Sequence, residues 1–137
     1  SGIRGVADLA NRSVCAVDGT TSLRRLQRIV PTAQITTAAM WSDCLVLLQQ
    51  RQVDAISTDD AILAGLAAQD PYLEIVGESI GAEPYGVGIE KNSEDLVRFV
   101  NGTLERIRAD GTWNDSYDRW LDVMGSSPGP PTPQYVD

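Results

Sequence analysis

The sequence contains no histidine. That absence removes the commonest general base and the commonest transition-metal ligand together. Ser-His and Cys-His catalytic arrangements are excluded, as is a zinc site of the usual Cys/His kind; an enzyme built on carboxylates or lysine stays open, and no residue is assigned as catalytic or metal-binding. Lysine is nearly missing too: Lys91 stands alone. Long apolar runs are also lacking. None reaches the ~18 residues of a membrane span, and no charged-then-apolar signal segment opens the chain. The opening at Ser1-Gly2 reads as that of a processed or partial chain. Basic clusters are absent beyond short pairs such as Arg24-Arg25, and 11 basic against 19 acidic residues give a net charge of −8. Nucleic acid is therefore not an expected partner, because phosphate binding needs concentrated positive surface. The acidity itself argues for solubility. Only Cys15 and Cys44 carry sulfhydryl chemistry, and they allow one intramolecular pairing. Two buried thiols and one disulfide are equally open on that count.

What is present suits a globular α/β protein. The 137 residues fit one domain, or one domain and a piece of another. Apolar periodicity gives Ser13–Val17 as a strand ending at Asp18-Gly19. A helix capped by Ser22 follows, with Leu23, Leu26, Ile29 and Val30 on one face and Pro31 as its stop. Gln34–Thr37 reads as a second strand. Ser42 or Asp43 caps a helix over Cys44–Gln50, with Cys44, Leu47 and Leu48 on one face. Val53–Ser57 is a third strand, after which Asp60 caps a helix bearing Ile62, Leu63 and Leu66. Leu73–Val76 and Val87–Ile89 read as further strands around a glycine-containing linker, Gly77–Gly86. Such alternation predicts α/β layers with parallel strands flanked by helices. After Lys91, Ser93 caps a helix with Leu96, Val97, Val100, Leu104 and Ile107 on one face, ending at Asp110-Gly111. Thr112 to Asp115 then has the form of a capping box, opening a helix with Trp113, Tyr117, Trp120 and Leu121 inward. No strand partner for this helical pair is evident. From Gly125 the chain is proline-rich and is expected to be extended or disordered.

In a sheet of this kind ligands sit beyond the carboxyl ends of strands, where helix N-termini converge. Asp18–Ser22 and Thr58–Asp60 both hold that position. A helix N-terminus attracts an anion, Gly19 lets backbone come close, and Thr20 and Thr21 add hydroxyls. The loop lacks the G-x-x-x-x-G-K-[ST] pattern, so a nucleotide P-loop is rejected. A helix cap with no ligand explains the same residues. At the other loop, Asp59 and Asp60 are adjacent and diverge, which argues against a joined carboxylate pair. Asp60 is the expected cap and Asp59 faces the cleft, suited to an ammonium. An anion hole beside a carboxylate describes a receptor for a zwitterion, an α-amino acid.

Three strings carry a further resemblance: "DLANRSVCAVDGTTSLRRL", "WSDCLVLLQQRQVDAISTDDAILAGLAAQDP" and "LEIVGESIGAEPYGVGIEKNSEDLVRFVNGTLERIRADGTWNDSYDRWL". In order they contain D-L then G-T-T, V-D-A-x-x-x-D, P-Y-G-V-G-I-x-K, and A-D-G-T-W with a later W-L. Over nearly all of residues 3–122 the chain resembles family 3 solute-binding proteins of ABC importers for polar amino acids, within them the glutamate/glutamine-type lipoproteins of actinobacteria. The resemblance implies a type II periplasmic-binding-protein-like fold of two α/β lobes closing on the ligand. Thr20 and the N–H of Thr21 would then hold the ligand α-carboxylate, and Asp59 its α-amino group. Val17 and Thr58 would fall near the ligand side chain, with Cys15 and Cys44 joined as a disulfide. It further implies no cofactor, permease subunits as partners, and an extracytoplasmic, lipid-anchored location through an N-terminal segment outside this chain.

The chain departs from that family in length. The part of lobe 1 that supplies an arginine for the ligand carboxylate and an aromatic for its side chain is not present. The expected organisation is residues 1–80 as lobe 2, 81–124 as the return crossover with the C-terminal part of lobe 1, and 125–137 as the tail. Half a binding site is expected, and glutamate, glutamine, aspartate and asparagine remain open as ligands. Sensing for a membrane signalling partner would use the same site. An enzyme built on carboxylates is the alternative from another class, and the missing histidine weighs against it. An oligomer in which exposed lobe 1 helices pair with a second copy is a third reading.

Overall fold

Val14, Cys15 and Ala16 have no accessible surface, and in the computed structural model they form the centre of β1, Ser13–Val17. The structure describes residues 2–82 and 85–135. A strand buried on both faces is what a parallel sheet covered by helices on each side requires. β1 is the middle strand of three, in the order β2-β1-β3, with β2 at Gln34–Ala38 and β3 at Ala55–Ile56. Both pairings are parallel: Val14 lies opposite Ile35 and Ala55, and Cys15 opposite Thr36 and Ile56.

Alternation along β1 builds two cores. On one face Val14 meets Leu26 and Val30, contributed by α1 (Thr21–Ile29) and the residue that ends it. Pro31 stops this helix, because it offers no N–H and pushes Val30 out of helical geometry. Leu23 joins the buried side, whereas Ile29, expected on that face, stays 41% exposed because Val30 occupies the central position. On the other face Cys15 packs with Val53 and with Cys44 of α2, Trp41–Gln49. Cys15 and Cys44 form a disulfide with a Cα–Cα distance of 5.6 Å, joining the central strand to its covering helix. α2 starts earlier than the sequence suggests. Neither Ser42 nor Asp43 caps it; Met40 precedes it in extended conformation, and its carbonyl accepts the N–H groups of Asp43 and Cys44 at 3.2 and 3.4 Å. Beyond β3 runs α3, Asp60–Ala67, burying Ala64 and Leu66.

Leu73–Val76 and Val87–Ile89 are not strands. Both are apolar and β-branched, but a strand exists only through hydrogen bonds to a neighbour. No pairing partner for either lies among the described residues. Of the linker between them, Glu83 and Pro84 lie outside the described residues, as do the last two residues of the tail.

The chain divides into two units, residues 1–82 and 83–137. The second is a helical pair, α4 (Glu94–Ala109) and α5 (Thr112–Trp120), and none of its described residues is fully buried. Gly111 turns the corner with φ +87°, a left-handed value that favours glycine. The expected cap Thr112 already lies inside α5. Asp110 satisfies the helix start instead, accepting the Thr112 N–H at 3.0 Å. The Thr112 hydroxyl, and after it the Thr112 N–H, hold the Asp110 carboxyl below its usual range. Trp113 and Tyr117 stack with ring centroids 5.4 Å apart. Trp120 does not point inward: it is 71% exposed, with the Arg119 guanidinium 5.1 Å from its ring centre. Residues 126–135 form neither helix nor strand, and hydrogen bonds tie them to the helices. Ser127 donates its N–H to Asp118 and its hydroxyl to Asn114, and Arg108 donates to the Pro131 carbonyl.

Candidate functional site

β1 and β3 are adjacent and parallel, so their carboxyl ends open at one end of the sheet. With Cys15 opposite Ile56, Val17 and Thr58 each stand two residues further along. The two loops that follow therefore leave the sheet side by side, one entering α1 and the other α3. Val17, Thr20 and Thr21 belong to the first loop, Thr58 and Asp59 to the second. Topology brings all five expected residues to one end of the first unit.

Gly19 makes the first loop sharp, with φ +74° and nothing within 4 Å of where a side chain would begin. Thr20, not Ser22, caps α1. Its hydroxyl accepts the Leu23 N–H at 3.2 Å and the Ser22 hydroxyl at 3.1 Å, and donates to the Val17 carbonyl at 2.7 Å. A hydroxyl has one proton and two lone pairs, so all of this one's capacity is engaged inside the loop. An anion at this helix end would be met by backbone N–H groups of the first turn. For the Thr20 hydroxyl to donate to it as well, its bond to Val17 would have to break. Nothing in the sequence pattern marks Arg24, yet its guanidinium donates to the Gly19 carbonyl at 3.2 Å and sets a positive charge beside the turn.

In the second loop the two acids divide differently from expectation. Asp59 occupies the N-cap position of α3 by backbone geometry, but its carboxylate makes no capping hydrogen bond. Asp60 is the first helical residue, and its carboxylate accepts the Ala61 N–H at 2.8 Å. Asp60 therefore serves the helix end, and the Asp59 carboxylate is not engaged in that task. Thr58 stands out for a different reason. Its Oγ1 is buried and has no hydrogen-bond partner in the structure, an arrangement that costs about 1–3 kcal/mol when left unrelieved. The other acid of V-D-A-x-x-x-D lies at the opposite end of the sheet. Asp54 accepts the Ser13 N–H at 3.0 Å, with Arg12 3.9 Å away, and pins the start of β1 to the start of β3. Among the described residues no cluster of His, Cys, Asp and Glu could hold a metal ion, and no helix is long and apolar enough to cross a membrane.

No protein-family model matches the chain. Individual proteins do. It is 30% identical to the ABC transporter glutamine-binding protein GlnH of Bacillus subtilis over 122 residues, which are 88% of this chain and 45% of that protein. It is 33% identical to the glutamate-binding protein GluB of Corynebacterium glutamicum over 118 residues, 81% of this chain and 40% of that one. Its structure superposes with a TM-score of 0.78 on an ancestral arginine-binding protein bound to arginine, at 28% identity, covering 88% of this chain and 55% of the other. The chain spans about half the length, or somewhat less, of the proteins it matches. It is thus a homologue of the amino-acid-binding proteins of ABC transporters, and it carries the α/β fold of one part of them.

Proposed function

We propose that the protein containing this chain is the extracytoplasmic substrate-binding component of an ABC importer for a polar amino acid. The observation that carries the reading is the emergence of the Gly19–Thr21 and Thr58–Asp59 loops side by side at one end of the sheet. A helix N-terminus in one loop and a carboxylate in the next match the two charges of an α-amino acid. In this reading the first turn of α1 binds the ligand carboxylate through backbone N–H groups, with the Thr21 N–H foremost. Asp59 binds the ammonium. Thr58 offers its buried hydroxyl to a polar group of the ligand side chain, and Val17 flanks it.

Several observations support this beyond the relatives. A buried disulfide persists in oxidising compartments and is rare in reducing ones. A site of hydrogen-bond donors and one carboxylate, with no histidine in the sequence, suits binding without chemical change. The permease is the natural partner of such a component. Ligand identity stays at the level of glutamine, glutamate and their shorter analogues.

A thermal-shift panel of those amino acids on the complete gene product tests the proposal. A ligand at 100 times its dissociation constant adds about 2.7 kcal/mol of stability, so a binder raises the Tm clearly. Asp59→Ala should abolish that rise. Retention of the full shift by Asp59→Ala would remove the ammonium role, and no shift with any polar amino acid would remove the function.

A further inference from the structure

The first unit ends at Ala82, and from there the chain passes to the second. Its last stretch, residues 77–82, forms neither helix nor strand, yet it is gripped at both ends. At the start Gly77, with φ +79°, lies so close to Gly5 that an added Cβ would stand 3.0 Å from its Cα. At the exit the Arg25 guanidinium, reaching across from α1, donates to the Ala82 carbonyl at 3.2 Å. Gly81, with φ +153°, lies against the same guanidinium: an added Cβ would stand 2.8 Å from its central carbon and 3.3 Å from Nε. Glycine is thus required there twice, by backbone and by space. The Ser79 hydroxyl closes the turn, donating to the Gly81 carbonyl at 2.9 Å.

Arg25 stands where a cation is not favoured. The N-terminus of a helix is its positive end and prefers acids. Among the described residues the other four α-helices follow that preference, with Asp43, Asp60, Glu94 and Asp95, and Asp115 in their first turns. α1 has no acid in its first turn, and its fourth and fifth residues are Arg24 and Arg25. Each reaches a backbone carbonyl outside the helix: Arg24 that of Gly19, in the first loop of the site, and Arg25 that of Ala82, at the exit. One helix end thus carries both the loop proposed to bind the ligand carboxylate and the grip on the leaving chain. Local preferences are broken in this way where function requires it.

We propose that Arg25 is a positioning residue for amino-acid binding: it fixes the direction in which the chain leaves the first unit and ties that exit to the carboxylate-binding end of α1. The inference rests on the proposed function, in which residues outside the two loops complete the site. A chain free to leave in many directions would hold those residues at the site for only part of the time, and apparent affinity falls by that fraction. Arg25 acts through the exit and not by touching the ligand. A guanidinium suits the task better than an ammonium, because its planar fork donates at one corner while the rest of it packs on a glycine.

The complete product of the gene is made in native form and with Arg25→Ala, Arg25→Lys and Arg28→Ala, the last removing a charge from an exposed position of the same helix. In each, the rate at which glutamyl endopeptidase cuts after Glu78 is measured, the cut being identified by fragment mass. Dissociation constants for glutamine and glutamate are measured beside the ligand-free Tm. In Arg25→Ala the expected result is cutting about tenfold faster and binding about fivefold weaker, with the Tm within about 2 °C of native. Arg25→Lys should fall between the two, and Arg28→Ala should match the native protein. An arginine that only stabilises the fold would lower the Tm and leave the dissociation constants unchanged, and that result would overturn the inference. So would cutting after Glu78 at the native rate. Should Arg25→Ala misfold, Arg25→Lys decides, and native cutting and affinity in it count against the proposal. A native protein that binds no polar amino acid removes the proposed function and this inference together, whereas failure of the inference alone leaves native binding intact.

Discussion

The Thr20 hydroxyl gives its proton to the Val17 carbonyl and takes protons from the Leu23 N–H and the Ser22 hydroxyl. Its first duty is therefore to α1, and the consequence is measurable as stability. Thr20→Ala should cost about 0.5–2 kcal/mol in urea unfolding, while Thr20→Ser should keep most of that. An alanine variant as stable as the native chain would show that the cap carries no weight. Asp70 is a second residue whose bonds fix its behaviour. The Gln49 side-chain amide, and after it the Tyr72 N–H, hold its carboxyl below the usual range. A carboxyl with a lower pKa folded than unfolded stabilises the fold above its unfolded value, near pH 4, and loses that contribution as pH falls through its folded one. Asp70→Asn should accordingly be less stable than the native chain at pH 6, with the gap closing toward pH 2. A gap that stays constant over that range would disprove it.

Among the elements, the disulfide between β1 and α2 makes the largest single expectation. Its cysteines are 29 residues apart, and a loop of that size corresponds to about 3–4 kcal/mol. Urea unfolding of the reduced protein should show a loss of that order, and an unchanged midpoint would rule it out. The elements also show what sequence pattern can convey. β1 was legible to the residue, because five strand-forming positions end at Asp18-Gly19 and nothing competes with them. The start of α1 was displaced, because Thr20, Thr21 and Ser22 all carry hydroxyls and only three-dimensional geometry picks the one that caps. Val53–Ser57 reads as five strand residues but pairs over two, although Asp54 and Ser57 still donate backbone hydrogen bonds to Ser13 and Cys15 at 2.7 and 3.0 Å. Leu73–Val76 has strand composition without a strand, since composition reports the preference of one segment and pairing needs two. The site residues were legible as loop positions. The engaged hydroxyl of Thr20, the contact of Arg24 with Gly19 and the orphaned hydroxyl of Thr58 were not, because each depends on a neighbour that the sequence does not specify.

At the scale of the whole molecule, length sets the main expectation. The chain holds two adjacent loops of a site that, in the proposed function, needs further residues on the other side of the ligand. The 137-residue chain alone should therefore bind glutamate or glutamine weakly or not at all. Isothermal titration giving micromolar or tighter affinity would contradict this and would make the two loops sufficient. The disulfide has one further consequence. Both of its cysteines are without accessible surface, so a reductant in solution cannot reach the sulfurs while β1 and α2 remain packed. Exchange with an added thiol depends on access to the bond. The rate at which dithiothreitol cleaves it is then a clock for the opening of the first unit, one that runs without a label and slows when a ligand holds that unit shut.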